Sequence, residues 1–151
     1  MEQAIGATEL TCERVRTADG FVRLQVSDGR DICELDFSYD ARVRQVERVA
    51  GTEVLSIEEL AADKTLAVFG RAAARDFVDL AALVERFSWQ RLFALAHEKD
   101  LGFDPRYFLD ALQAFDRLPA DTFGLDRADY EHLRAKVWVW RQELGANLER
   151  N

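Results

Sequence analysis

Ser56-Ile57-Glu58-Glu59-Leu60-Ala61-Ala62-Asp63-Lys64-Thr65-Leu66-Ala67-Val68-Phe69-Gly70 is where the chain changes its period. Upstream, apolar and polar residues alternate at period two, as on a half-buried strand. From Ser56 onward the apolar residues return every three or four positions, as on a helix face. Ser56 and Glu59 have the spacing of a capping box, and Gly70 is the kind of residue that closes a helix. The spacing predicts a helix running to about Phe69, with a core stripe of Ile57, Leu60, Ala61, position 64 and Val68. Position 64 is Lys64. An ammonium on a buried stripe must either snorkel to water or meet an anion.

Working back from Ser56, Phe21-Val22-Arg23-Leu24-Gln25-Val26 and Ile32-Cys33-Glu34-Leu35-Asp36-Phe37 read as two strands joined by the turn Ser27-Asp28-Gly29-Arg30. On the second, Cys33, Leu35 and Phe37 share one face and Glu34 and Asp36 the other. Cys33 reads as a small core residue. Thr17-Ala18-Asp19-Gly20 is a further turn. Loosely spaced Ile5, Leu10 and Val15 point to a helix over residues 2–16, and a short strand is expected around 43–49.

Working forward, a second helix from about Arg75 to Phe87 is apolar over most of its circumference and is expected to be central. Ser88 caps a third through Lys99, and Asp104-Pro105 opens a fourth with proline at the first helical position. The last helix starts at Asp126, with a core stripe of Tyr130, Leu133, Val137, Trp140, Leu144 and Leu148. Trp138 lies off that stripe and marks a contact surface. Strands first and helices after make an α+β layout, a small antiparallel or mixed sheet followed by a helical bundle. One domain over 1–151 is the simplest division, with a strand-rich part, 1–54, and a helical part, 55–151.

The composition is that of a globular protein: 151 residues, 48% hydrophobic, 32% charged, two prolines. No apolar run approaches the roughly 20 residues that a membrane span needs, and Met-Glu-Gln-Ala lacks the start of a signal peptide. Two cysteines make neither a disulfide framework nor a metal knuckle, so a reducing cytoplasm is expected. A formal charge of −8 repels nucleic acid at long range and leaves any binding of it to local basic groups.

Two groups of side chains invite chemistry. Arg75-Asp76-Phe77-Val78-Asp79-Leu80 places Asp76 and Asp79 on one helix face, with Arg75 one turn before Asp79. Two readings stay open: acids that satisfy the first turn's amides with a surface Arg75–Asp79 pair, or carboxylates at the mouth of a buried helix that hold a ligand. Glu34 and Asp36 have the pairing typical of Mg²⁺ ligands, although the solvent face of a strand looks the same. His97 and His132 fall on polar helix faces.

The run from Val54 to Arg71, continued by Arg75-Asp76-Phe77-Val78-Asp79-Leu80, resembles the nucleotidyl transferase AbiEii/AbiGii toxin family. That family has a leucine-rich helix with a lysine, then an arginine, then Arg-Asp-x-x-Asp-Leu. Ala96-His97-Glu98-Lys99-Asp100-Leu101-Gly102-Phe103-Asp104 shares its look, and the resemblance covers about residues 30–115. It implies a polymerase-beta-like nucleotidyltransferase that takes a nucleoside triphosphate with Mg²⁺ and transfers a nucleotide, in some members to the acceptor end of tRNA. On that resemblance Asp36 is a metal carboxylate, Lys64 reaches the triphosphate, and Asp76 orients Lys64 or the acceptor. Arg71 and Arg75 meet phosphate as bidentate donors, with Asp79 in the same nucleotide site.

The family's front signature, a Gly-Gly or Gly-Ser turn followed by an Asp-x-Asp strand, has no counterpart before Asp36. The expectation is a member without its front, poor in Mg²⁺ binding and slow to turn over. The competing expectation is a non-catalytic protein that kept the helical part to bind a cognate antitoxin, or a second copy of itself through an open sheet edge.

Overall fold

The computed structural model describes residues 10–150 and is α+β: two small antiparallel sheets, then helices. The chain divides into two compact units, residues 1–41 and 42–151.

In the first unit β1 (Thr11–Ala18), β2 (Phe21–Ser27) and β3 (Ile32–Ser38) form an antiparallel meander in that order. Asp28 Oδ1 accepts from the amides of Arg30 and Asp31, while Ser27 Oγ accepts from Gly29, so side chains close the turn expected there. Val22, Leu24 and Val26 stand opposite Phe37, Leu35 and Cys33. Leu24 and Val26 are buried and Leu35 and Phe37 half-buried, but Cys33 is exposed rather than in a core, because β3 is an outer strand of this sheet. Residues 11–16 are not helical as expected. β-branched Thr11, Val15 and Thr17 suit a strand, and pairing with β2 overrides a weak helical spacing. The register skips Val15, a bulge. The rest of the expected helix, residues 2–9, lies outside the described residues.

The second unit begins with a loop and a hairpin, β4 (Glu47–Val49) and β5 (Thr52–Val54), closed by Ala50-Gly51 at φ 50° and 82°. Two positive φ values suit the twist of a two-residue hairpin. The expected strand at 43–49 is thus shorter, and its partner β5 was not foreseen. Helix α1 (Ile57–Gly70) follows, with Ser56 Oγ accepting from the Glu59 amide. Then come α2 (Ala74–Leu83), α3 (Trp89–Lys99), α4 (Pro105–Leu112) and α5 (Arg127–Leu148). Ser88, Asp104 and Asp126 cap α3, α4 and α5 as expected. Helix α2 ends four residues earlier than Phe87, and two 3-10 turns, Gln113–Arg117 and Ala120–Phe123, precede α5.

The core of this unit is one cluster drawn from all five helices. Phe77, Leu80, Leu92, Phe108, Leu112 and Phe115 are almost wholly removed from water. Each such side chain contributes about 1.5–3 kcal/mol of burial. Rings interlock through it: Phe93 meets Trp89, Phe103 and Phe108, and Phe115 meets Phe77, Phe123 and Tyr130. The α5 stripe is buried at Leu133, Val137, Trp140 and Leu144 and half-buried at Tyr130 and Leu148.

Candidate functional site

The buried face of α1 is Glu59, Ala61, Ala62, Thr65 and Val68, rotated by about one residue from the expected stripe. The rotation moves Ile57, Leu60 and position 64 to the edge of the buried face. Lys64, half-buried there, meets an anion: its Nζ lies 2.7 Å from Asp79 Oδ2 on α2. Arg75 is therefore not the partner of Asp79. It is exposed, and its charge acts on Asp76.

Between α1 and α2 the chain turns in three residues. Helix α1 runs through Gly70, and the left-handed residue is Ala72 (φ 46°), not the glycine expected to close the helix. The amides of Arg71 and Ala72 both donate to the Ala67 carbonyl. A buried alanine at positive φ costs on the order of 1 kcal/mol, so the surroundings must hold it there. Asp76 does so. Its carboxylate, fully buried, accepts from Arg71 Nε (2.8 Å) and Nη2 (2.7 Å) and from the Ala73 amide (3.0 Å). Ala73 has no side-chain oxygen to cap α2, so this reach back from Asp76 supplies the capping. Burial pushes the Asp76 carboxyl up, but the Arg71 fork, the Ala73 amide and the charges of Arg71 and Arg75 outweigh it and hold it below its ordinary value.

Lys64–Asp79 and Arg71–Asp76 are thus two cation–carboxylate pairs bridging the end of α1 and the start of α2. They belong to one electrostatic group, since Asp79 also acts on Arg71. Asp76 holds Arg71 and not Lys64. Half of the Arg71 side chain remains exposed.

Asp36 and Glu34 are in the other unit, on the polar face of β3. Across the ladder, Arg23 donates from Nε and Nη2 to the two Asp36 oxygens (2.7 Å each), and its Nη1 lies 3.3 Å from Glu34. Among the described residues no three His, Cys, Asp or Glu side chains gather as metal ligands would. The edge strands of this sheet are β1 and β3. His97 and His132 are exposed, as their helix faces suggest.

A second ionic group was not foreseen. Glu59, read as half of a capping box, does not return to Ser56. It is buried, accepts from the amides of Val43 and Arg44 (3.1 and 2.9 Å), and takes Lys99 Nζ at 2.7 Å. Lys99, only 8% exposed, also binds Asp63. Arg44 reaches Glu58 on α1 and Glu98 on α3, and Arg91 also binds Glu58. Burial raises the Glu59 carboxyl, but Lys99 and the two amides together keep it below its ordinary value. The available signal was Glu59 and Asp63, one turn apart on one helix face. This group ties the entry loop and α3 to α1 and so fixes the helix that carries Lys64.

The family model described as nucleotidyl transferase AbiEii toxin, type IV toxin–antitoxin system, matches residues 6–139. The chain belongs to this family. No curated protein and no solved structure matches it. The matched range takes in both ion pairs of the α1–α2 junction and the Arg23–Asp36 pair of the sheet. Among the described residues no helix is long and apolar enough to cross a membrane.

Proposed function

We propose that the α1–α2 junction is the phosphate-facing part of a nucleotidyl-transfer site that takes a nucleoside triphosphate. The observation that carries this is the Lys64–Asp79 pair of 2.7 Å in a chain of a nucleotidyl transferase family. Lys64 keeps its ammonium near the surface on a helix edge, and Asp79 orients it while remaining displaceable by a more highly charged phosphate. Arg71 is clamped on one edge by Asp76, which leaves Nη1 for an incoming oxygen, and exposed Arg75 adds a third cation. Cations fixed before the ligand arrives bind phosphate at low entropic cost. The acceptor in this proposal is a nucleic-acid end such as that of tRNA, the partner is an antitoxin, and the place of action is the cytoplasm.

Mg²⁺ belongs to the proposal as the ion that accompanies a triphosphate and neutralises its charge. Glu34 and Asp36 do not fit it as folded, because Arg23 is bonded to both carboxylates and no third ligand gathers with them among the described residues. With neither the Gly-Ser turn nor Asp-x-Asp in its sequence, the chain by itself is proposed to bind nucleotide and turn it over slowly.

Calorimetric titration with each nucleoside triphosphate, with and without Mg²⁺, tests the reading on wild type and Lys64→Ala. Binding that Lys64→Ala weakens on the order of tenfold or more supports it. Absence of binding to wild type sinks it. The neutralised Glu34–Asp36 face favours a second reading, a non-catalytic protein that binds its antitoxin or a second copy. A chain that takes no nucleotide but co-purifies with its antitoxin would support that one.

A further inference from the structure

Helices α2 and α5 border a small groove of about 170 Å³ that begins one turn beyond Arg75. Its floor is apolar, made by Val78 and Ala81 on α2 and by Leu125 just ahead of α5. The α5 wall carries Asp129, His132 and Lys136. Lys136 Nζ is taken by Glu85 at 2.5 Å, whereas the Asp129 carboxylate and the His132 ring hydrogen-bond to no other described residue. Pockets that hold a whole small molecule run from about 300 Å³ upward. This one suits a single ring system whose charged part lies elsewhere. An apolar floor, an imidazole to stack and a carboxylate to accept from N–H groups are the fittings of a heterocyclic base.

Asp79 directly follows Val78, so the Lys64–Asp79 pair and the groove lie on two flanks of α2. The ridge between them is exposed Arg75 and Ala82. Ala82 raises only a methyl group there, and Arg75 is one of the three cations of the phosphate-facing junction. From Val78 the groove runs past Ala81 toward Glu85, where Lys136 matches the anion and leaves no spare cation for phosphate. The charge pattern thus fixes a direction, with phosphates at the Arg75 end and an uncharged ring beyond it. We propose that the base of the bound nucleoside triphosphate sits in this groove, while its phosphates cross the ridge at Arg75 to Arg71 and Lys64. His132 stacks on the base, and Asp129 accepts from its N–H groups. This inference rests on the phosphate reading of the α1–α2 junction and adds to it the residues that tell a nucleotide from bare polyphosphate.

Calorimetric titration with inorganic tripolyphosphate and with each nucleoside triphosphate, magnesium present throughout, tests the proposal. Wild type should bind at least one nucleoside triphosphate on the order of tenfold or more tighter than tripolyphosphate. Ala81→Phe, which fills the groove, and His132→Ala, at an exposed position, should each bring that nucleotide down to the tripolyphosphate level. Neither should change tripolyphosphate binding, whereas Lys64→Ala should weaken both ligands. The chain has two histidines, so proton NMR reads the groove directly. The His132 ring signals should move with the nucleotide and not with tripolyphosphate, while those of His97 stay in place. Equal binding of nucleotide and tripolyphosphate by wild type overturns the base seat and leaves the phosphate reading standing. So does a His132→Ala variant that binds nucleotide like wild type, or one that weakens both ligands alike. Binding of neither ligand sinks the phosphate reading and the base seat together.

Discussion

Both units of the chain set an arginine fork on an aspartate with nearly the same geometry, and the two pairs do different work. Arg23 and Asp36 face each other across two strands, on side chains 32% and 38% exposed. Arg71 and Asp76 lie five residues apart around a helix junction, and Asp76 is fully buried. Water competes for the first pair and is excluded from one side of the second. Hydrogen bonds lost from Asp36 are replaced by solvent. Those lost from Asp76 leave the Ala73 amide unpaired and release a connector whose Ala72 sits at φ 46°. The pairing chemistry is shared. Burial decides which pair holds the backbone and which decorates a surface.

The helical unit also contains the strongest test of that distinction. Glu59→Ala removes one carboxylate partner of nearly buried Lys99 and the acceptor of two backbone amides, and should lower stability by about 3 kcal/mol or more in urea denaturation. Asp76→Ala should cost about 2–3 kcal/mol, less because half-exposed Arg71 can return to water. A loss below about 1 kcal/mol there would break the comparison. Asp36→Ala should cost about 1 kcal/mol or less, within the range of surface pairs, and its effect should fade in high salt. Lys64→Ala belongs with Asp36→Ala in stability but should differ in function, since nucleotide binding is expected to fall while the melt barely moves.

Acid titration separates the pairs in another way. Both Glu59 and Asp76 are held below their ordinary values of 4.5 and 3.8. Their contribution is fully present above those values and is lost as the pH falls through the depressed ones. The helical unit should therefore lose stability below about pH 4.5, followed by far-ultraviolet dichroism. The Glu59→Gln, Asp76→Asn double variant should start less stable and show a flatter slope over that range. An unchanged slope would mean that other carboxylates govern acid unfolding.

Lys64, Arg75, Asp76 and Asp79 were legible as one group from helical spacing, and the family pattern added Arg71 to them. Their pairing was not. The Arg75–Asp79 contact of one reading follows from the geometry of one isolated helix, and an Asp76 that orients Lys64 was what the family resemblance implied. The observed partners come from the neighbouring helix and the turn between the two. Glu59 shows the same limit: its spacing to Ser56 predicts a box, and half of it forms, but three donors from outside the helix outcompete the return bond. The helix over residues 2–16 fails at 11–16 because strand pairing with β2 outweighs a weak local signal.

What the sequence determines by itself is therefore local and periodic: the change of period at Ser56, the caps at Ser56, Ser88, Asp104 and Asp126, the Ser27–Arg30 turn, and membership of the AbiEii family. These depend on residues a few positions apart, where chain connectivity alone sets the distances. Tertiary structure decided which face of α1 is buried, which anion each cation meets, and that Ala72 carries the left-handed turn in place of Gly70. Those outcomes depend on how much water remains around each group once helices far apart in sequence have packed, and that quantity has no local signature.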